Sequence, residues 1–229
     1  MAFNFQTFKT RALTALLFVV VMLVGLLWNF WSFLILFTVI HFGCWFEFVK
    51  LIKKIYGEKY LGYCLFGLIY ITLPVLMIID LRQMGIIYKG QSVFADFGFV
   101  IPCMIIFSIW INDTMAYLVG SFIGKTSLSK ISPKKTWEGT LGGALLCILI
   151  IAIIGNEIKK YSIFEWASIA ALCAIFGTLG DLFESKLKRM ADVKDSGSFM
   201  PGHGGFLDRF DSLLIAVPAV WVYVYFFIN

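Results

Sequence analysis

Residues 12–28 read ALTALLFVVVMLVGLLW, a run that would be apolar on every side of a helix. A transmembrane β-strand would alternate apolar and polar residues over about ten positions, and this run does not alternate. Similar runs recur along the chain: 60% of its 229 residues are hydrophobic and only 14% are charged. Apolar stretches of about 20 residues are typical of membrane-spanning helices. The sequence therefore predicts an all-α, polytopic integral membrane protein.

Seven apolar stretches are candidates for these spans, so we predict about seven transmembrane helices. They cover residues 12–28, 31–49, 61–79, 97–123, 140–155, 163–183 and 212–228. The first stretch is long for the apolar region of a signal peptide and has no A-x-A cleavage site, so we interpret it as a retained helix. We predict one membrane domain over residues 1–229, with an N-terminal scaffold (1–96) and catalytic helices (97–229).

The 19 Lys and Arg residues are distributed unevenly over the loops between these spans. If the N-terminus is cytoplasmic, the opposite side receives only Arg82, Lys89, Lys159 and Lys160, which leaves 19 − 4 = 15 on the cytoplasmic side. Cytoplasmic loops of membrane proteins carry such an excess of positive charge. The sequence therefore predicts a basic cytoplasmic face, suited to phosphates or anionic lipid headgroups.

Residues 184–211, ESKLKRMADVKDSGSFMPGHGGFLDRFD, are the longest polar connection in the chain. Asp181 and Glu184 lie three residues apart where one span ends, and Asp208 and Asp211 lie three residues apart where the next begins. Each pair shares a helix face, and we expect the two pairs to meet at one membrane depth. Four carboxylates this close would repel unless a cation held them, and hard oxygen ligands favour Mg²⁺ or Mn²⁺.

The acidic pair and the glycines of this stretch each have an alternative interpretation. Asp208 and Asp211 could simply favour the positive end of a helix dipole, or pair with Arg209 and Lys188. The glycines of PGHGG (201–205) let backbone N–H groups approach a phosphate before a helix N-terminus, but glycine-rich segments are also common as ordinary turns.

A second polar segment, ISPKKTWEG, covers residues 131–139. Ser132 is predicted to cap a helical turn that begins at Pro133 and presents Lys134 and Lys135. Paired lysines suit the oxygens of a triphosphate or phosphomonoester, while a run of charges that only fixes the topology is the alternative.

Acidic side chains inside apolar spans are costly and therefore need a reason. Asp113 starts a stripe of small and polar residues, with Ala116, Tyr117, Gly120 and Gly124 at helical spacing, that we expect to face protein or a water-filled cavity. The alternatives are a functional carboxylate and a groove for helix packing. From the sequence, Glu47 in the second span is assigned a structural role.

The stretch SKLKR-x4-KDSGSFMPGHGGFLDRFD (185–211) resembles the signature of the phosphatidate cytidylyltransferases, or CDP-diacylglycerol synthases. WINDTMAY, SPKKTWEG and GDLFES are also similar to stretches of that family, so the resemblance covers about residues 102–212. It implies a nucleotidyltransferase of phospholipid biosynthesis, which transfers the cytidylyl group of CTP to phosphatidic acid and gives CDP-diacylglycerol and pyrophosphate.

The family pattern also implies roles for individual residues. The implied catalytic residues are Asp181, Asp208, Asp211, Lys188, Arg209 and His203. The implied metal ligands are Asp181, Asp208, Asp211 and Glu184. The implied substrate-binding residues are Ser132, Lys134, Lys135, Arg189, Lys194, Gly204, Gly205 and Asp113. The resemblance further implies Mg²⁺, a second cation such as K⁺, and a homodimer. Together with the distribution of Lys and Arg, it leads us to expect a site on the cytoplasmic face of the inner (plasma) membrane. Membrane lipids are expected as partners and nucleic acid is not.

Two other functions use some of the same parts. A CTP-dependent polyprenol kinase, or a cytidylyltransferase for an isoprenoid lipid, also needs metal, nucleotide and membrane access. A secondary transporter could bind a coupling ion at Asp113 and Asp181. Transporters tend to show internal repeats and sites at the membrane midplane, whereas this chain shows no repeat and gathers its charges at one surface.

Overall fold

The computed structural model of the chain describes residues 5–84, 98–158, 161–200 and 204–228. Within these ranges the apolar runs form eight α-helices, and the described residues form no β-strand. The helices are α1 (Phe5–Leu27), α2 (Phe30–Tyr56), α3 (Tyr60–Cys64), α4 (Leu73–Met84), α5 (Val100–Ile123), α6 (Trp137–Ile158), α7 (Ile163–Met190) and α8 (Leu207–Tyr223). His203, Lys89, Lys159 and Lys160 lie outside the described residues.

Five helical segments of the described residues are long and apolar enough to cross a membrane. They are Phe30–Cys64, Val100–Ile123, Trp137–Ile158, Ile163–Met190 and Leu207–Ile228. The prediction of an all-α, multi-pass membrane protein is thereby confirmed.

The other two predicted spans lie in α1 and in an interrupted segment. The first falls within α1, which runs without a break from Phe5 to Leu27 and whose apolar part is Ala12–Leu27. In the predicted span 61–79, a π-helix at Leu68–Thr72 separates α3 from α4. Pro74, in the first turn of α4, has no N–H to donate to the preceding turn, and π-type turns are a common accommodation where the α-helical ladder is broken. Among the described residues, five of the predicted spans therefore have the length and hydropathy of a membrane-crossing helix, and the count of seven stays a prediction.

The described chain divides into two compact units, of which unit 1 comprises Met1–Thr72 and Leu187–Phe210. Asn29 begins α2 with a capping box, because its side chain accepts from Ser32 N at 2.8 Å while Ser32 Oγ accepts from Asn29 N at 3.1 Å. This cap turns the chain directly from α1 into α2. The buried core of unit 1 includes Leu26, Phe33 and Phe37.

Unit 2 comprises Leu73–Lys186 and Asp211–Asn229, and its helices α5 and α6 pack through small residues. A Cβ on Gly143 would lie 2.6 Å from the Ala116 nitrogen, and a Cβ on Gly139 would lie 2.9 Å from Gly120 Cα. Small residues at such spacing let two helix backbones approach closely in a membrane. The stripe on α5 is therefore a packing groove.

Two members of that stripe do not lie in the groove. Asp113 is exposed, and Tyr117 is 75% exposed. The packed face of α5 in unit 2 therefore takes in Ala116 and Gly120 but not these two side chains, because helical spacing alone does not fix how wide the packed face of a helix is. For Asp113 and Tyr117 the water-filled cavity stays a prediction.

We expect Gly143→Ala to destabilise the protein, because the atoms that its new Cβ would meet belong to the Ala116 backbone and cannot rotate away. Overpacking of this kind typically costs about 1–3 kcal/mol. Thermal unfolding in detergent measures the effect, and Gly62→Ala is the matched control because a Cβ on Gly62 meets no atom within 4 Å. A Gly143→Ala protein as stable as the control would contradict close packing of α5 on α6.

Candidate active site

The beginning of α8 holds a cluster of polar groups in unit 1, which we name the Asp208 cluster: Lys188, Ser196, Gly205 and Asp208. Asp208 lies in the first turn of α8, where the exposed N–H groups and the helix dipole favour a carboxylate. Its Oδ1 accepts from Lys188 Nζ at 2.6 Å. Its Oδ2 accepts from Ser196 N at 2.9 Å, Ser196 Oγ at 2.9 Å and Gly205 N at 2.8 Å.

This arrangement holds Asp208 in one orientation and largely shields it from solvent. Its side chain is 7% exposed and that of Lys188 is 13% exposed. A buried carboxylate needs several donors to replace water, and here an ammonium group, two backbone N–H groups and a hydroxyl supply them. From the sequence, an ion pair with Lys188 is an alternative role for Asp208, and the structure contains that pair.

The glycines before α8 lie against the Asp208 carboxylate, a contact that their spacing in the sequence did not predict. Gly204 has φ +83°, in the left-handed region that favours glycine, and its carbonyl accepts from Met200 N at 3.0 Å. A Cβ on Gly204 would lie 2.6 Å from Asp208 Oδ2. The loop therefore wraps a carboxylate of the protein with its own backbone, so the N–H of Gly205 is occupied by Asp208.

A second group, which we name the Asp181 cluster, lies in unit 2: Lys135, Asp181 and Ser185. Lys135 Nζ donates to Asp181 Oδ2 in a short ion pair, and Ser185 Oγ donates to Asp181 Oδ1 at 3.2 Å. The side chains of Lys135 and Asp181 are 29% and 28% exposed, so this pair is more accessible than that of Asp208.

The segment before α6 presents Lys135 from a hairpin. Ser127 and Thr136 form an isolated antiparallel bridge, and Leu128 N donates to Lys135 O at 2.8 Å. Glu138 secures its base, because its carboxylate accepts from Lys125 N and Thr126 N, both at 3.1 Å. Lys135 is thus placed by backbone pairing on one side and by a carboxylate on the other.

The predicted helical turn at Ser132 and Pro133 is wrong. Lys135 N donates to Ser132 O at 3.1 Å, which closes a β-turn with Pro133 and Lys134 at its centre. Proline suits the second position of a β-turn as well as the first position of a helix, and the hairpin pairing decides between them. Ser132 therefore contributes its carbonyl, and Lys134 is exposed at the tip.

Glu184 and Asp211 are buried in unit 2, with exposures of 0% and 8%. Helices α7 and α8 come close together here, since a Cβ on Gly180 would overlap the Asp211 carbonyl oxygen and lie 3.0 Å from Ser212 Cα. The end of one predicted span and the start of the next therefore approach each other at Gly180 and Asp211. Convergence of all four carboxylates stays a prediction.

The remaining predicted site residues that the structure describes are exposed cations and one exposed acid. Arg189 is exposed, and its Nη1 donates to Val193 O at 3.4 Å. The other exposed members are Lys134, Lys194, Arg209 and Asp113. His203 lies outside the described residues, so its predicted role stays a prediction.

The oxygen atoms of the Asp181 and Asp208 clusters are of the chemical type that binds a hard cation. Carboxylate and hydroxyl oxygens are the ligands that Mg²⁺ prefers. In the described part of the chain, no three His, Cys, Asp or Glu side chains form a group that could hold a metal ion. Asp181 and Asp208 each bind a lysine ammonium group instead, so a divalent cation would share or replace a lysine there. The metal site stays a prediction.

Glu47 is a site residue that sequence reasoning missed. It lies on α2, is 4% exposed, and accepts hydrogen bonds from Phe206 N and Leu207 N at the beginning of α8. The available signal was that Glu47 is the one acid of α2.

Comparison with known proteins identifies the family of the chain. The model of the family described as "Cytidylyltransferase family" matches residues 62–227, which include both pairs. The chain belongs to the cytidylyltransferase family. The family resemblance stated from the motifs is therefore confirmed.

Several relatives carry the name phosphatidate cytidylyltransferase. That of Staphylococcus saprophyticus is 38% identical over 160 residues, which are 69% of this chain and 56% of the relative. That of Thermotoga maritima is 37% identical over 137 residues, 57% of this chain and 51% of the relative. That of Synechocystis is 42% identical over 132 residues, 56% of this chain and 44% of the relative. The chain thus spans about half the length of these curated relatives.

Proposed function

We propose that this protein transfers the cytidylyl group of CTP to phosphatidic acid, giving CDP-diacylglycerol and pyrophosphate. The observation that carries the proposal is the family match over residues 62–227, a range that also contains both lysine–aspartate pairs. The names of the relatives supply the lipid substrate, since lipid choice is not written in the motif.

The reaction brings two anionic substrates together, so the protein must first compensate negative charge. A phosphate oxygen of phosphatidic acid attacks the α-phosphorus of CTP, and the bond from that phosphorus to the bridging oxygen of pyrophosphate breaks. Catalysis of phosphoryl-type transfers comes mainly from positioning and electrostatic stabilisation. Lys135 and Lys188 are held by carboxylates, and Lys134, Arg189, Lys194 and Arg209 are exposed to bind phosphate oxygens.

Mg²⁺ is the proposed cofactor, and four carboxylates of the protein would hold it. Asp181, Asp208, Asp211 and Glu184 are the proposed ligands, and K⁺ is the proposed second cation. When bound, a divalent cation would supply positive charge that compensates the charge of the phosphate groups. The protein's own contribution is to keep Asp208 in a fixed, shielded orientation and Asp181 in a more accessible one.

The proposal also includes the membrane in which the protein lies and the side of that membrane on which its active site lies. The excess of Lys and Arg in the loops favours a cytoplasmic site at the inner (plasma) membrane. A water-soluble nucleotide would then arrive from the cytoplasm, and the lipid phosphate would enter from the inner leaflet. A homodimer stays a prediction.

Purified protein incubated with CTP labelled in its α-phosphate, phosphatidic acid and Mg²⁺ should transfer label to the organic phase. Parallel reactions without Mg²⁺, with diacylglycerol and with a polyprenyl phosphate test the cation and the acceptor. Label transferred only to the polyprenyl phosphate would favour an isoprenoid substrate. No lipid-linked cytidine from a protein shown to be folded would refute the proposal.

A further inference from the structure

Glu47 reaches from α2 into the loop that carries the Asp208 cluster. Its Oε1 accepts from Phe206 N at 3.0 Å, and its Oε2 accepts from Leu207 N at 2.9 Å and from Ser196 Oγ at 2.7 Å. These partners lie 149 to 160 positions away in the sequence. All of them belong to unit 1.

The Glu47 carboxylate is almost completely buried. Burying an unpaired charge is costly, so a glutamate that is 4% exposed must receive strong donors. Two of its donors are N–H groups at the beginning of α8, where the helix leaves such groups unpaired and its dipole favours an anion. Glu47 therefore fixes where α8 begins and how its first turn is oriented.

Two glycines of the loop also lie directly against the Glu47 carboxylate. A Cβ on Gly197 or on Gly205 would overlap the Glu47 carboxylate. Side chains are thus excluded where the loop passes the glutamate. The backbone of Gly205 meanwhile donates to Asp208, so one residue contacts both acids.

Ser196 links the two acids directly. Its hydroxyl lies 2.7 Å from Glu47 Oε2 and 2.9 Å from Asp208 Oδ2, and its backbone N–H donates to Asp208 at 2.9 Å. A serine hydroxyl has a single hydrogen and therefore donates to one of these carboxylates at a time. Displacing Glu47 would change the position of Ser196, of Gly205 and of the helix turn that carries Asp208.

We propose that Glu47 is a positioning residue, which orients Asp208 for substrate and cation binding by anchoring Ser196 and the first turn of α8. Glu47 lies outside residues 62–227, the part of the chain that the family model matches. The inference rests on the proposed function in that Asp208 is taken to act on the substrates.

Glu47→Gln is the sharpest variant, because it keeps the size of the side chain and removes one acceptor. Both Glu47 oxygens accept from backbone N–H groups, whereas a glutamine has one oxygen and an NH₂ group that would face one of those donors. We expect kcat to fall about 10- to 100-fold, the range found for residues that orient a ligand-bearing side chain. Glu47→Asp keeps two acceptor oxygens and should restore part of the lost kcat.

The experiment uses the full chain in detergent and compares each variant with Glu58→Gln, an exposed glutamate of the same unit. Thermal unfolding identifies variants that remain folded, and turnover is then measured per folded protein. A second measurement, the rise in unfolding temperature on adding CTP and Mg²⁺, requires no turnover. We expect this rise to be smaller in Glu47→Gln and unchanged in Glu58→Gln.

Should Glu47→Gln fail to fold, Ser196→Ala provides the test, since it removes the shared hydroxyl and keeps the backbone donor. We expect it to lower kcat about tenfold. Folded Glu47 and Ser196 variants with the kcat and the ligand-induced stabilisation of the wild type would overturn the inference. A wild type that makes no lipid-linked cytidine would instead refute the proposed function, and the stabilisation by CTP and Mg²⁺ would still test Glu47.

Discussion

Asp208→Asn should reduce the proposed cytidylyl transfer by at least about 1,000-fold at any practical Mg²⁺ concentration, because Asp208 is a proposed Mg²⁺ ligand and cation-based stabilisation of such a reaction is worth several kcal/mol. The substitution preserves the shape of the side chain but removes the charge that Lys188, Ser196 and Gly205 surround. Transfer of label from CTP to the organic phase, measured over a Mg²⁺ titration, determines the effect.

Asp192→Asn is the matched control for this experiment. Asp192 is exposed in the same loop and has φ +50°, a left-handed conformation that asparagine tolerates as readily as aspartate. We expect the Asp192→Asn protein to retain wild-type turnover. Wild-type turnover in Asp208→Asn would remove Asp208 from the active site.

A double substitution separates catalysis from charge pairing at Asp208. If Asp208 served only to neutralise Lys188, and Lys188 bound no phosphate itself, replacing both charged groups in Asp208→Asn/Lys188→Met would restore stability and activity together, since a buried pair can often be replaced by neutral groups. We expect stability to recover and activity to stay lost. Recovery of turnover in the double variant would show that Asp208 is needed only as a counterion.

Much of the fold could be predicted because apolar length is a strong signal in a membrane protein. Lipid offers no hydrogen bonds to the backbone, so a long apolar run such as Trp137–Ile158 can only be a helix or be hidden inside protein. The interruption at Leu68–Thr72 was not predicted, since a π-type turn replaces one hydrogen-bond pattern by another without changing hydropathy.

The candidate site was predictable in its residue types but not in its pairings. Acids and lysines near the ends of spans are conspicuous against an apolar background. Which acid meets which lysine depends on tertiary contacts, such as that between Lys135 and Asp181, which are 46 positions apart. The role of Glu47 was hidden for the same reason, because its donors are mostly backbone N–H groups, which every residue except proline carries.

Lys135 offers the second large effect, because its ammonium group binds Asp181 in the structure and a substrate phosphate in the proposed function. We expect Lys135→Gln to lower kcat/KM about 10- to 150-fold, the equivalent of losing one charge-assisted hydrogen bond of about 1.5–3 kcal/mol. Lys135→Arg should retain part of the activity, since arginine keeps the charge but not the shape. Turnover measured against CTP and phosphatidic acid separately shows which substrate's KM rises.

Stability and activity should respond differently to this substitution. An ion pair whose side chains are 29% and 28% exposed contributes little to folding, so the unfolding temperature of Lys135→Gln should stay close to that of the wild type. Lys130→Gln, an exposed lysine of the same segment, is the control and should leave both quantities unchanged. If Lys135→Gln lost stability but kept kcat/KM, the lysine would serve to hold Asp181 in place, and the phosphates would have to be bound by other cations.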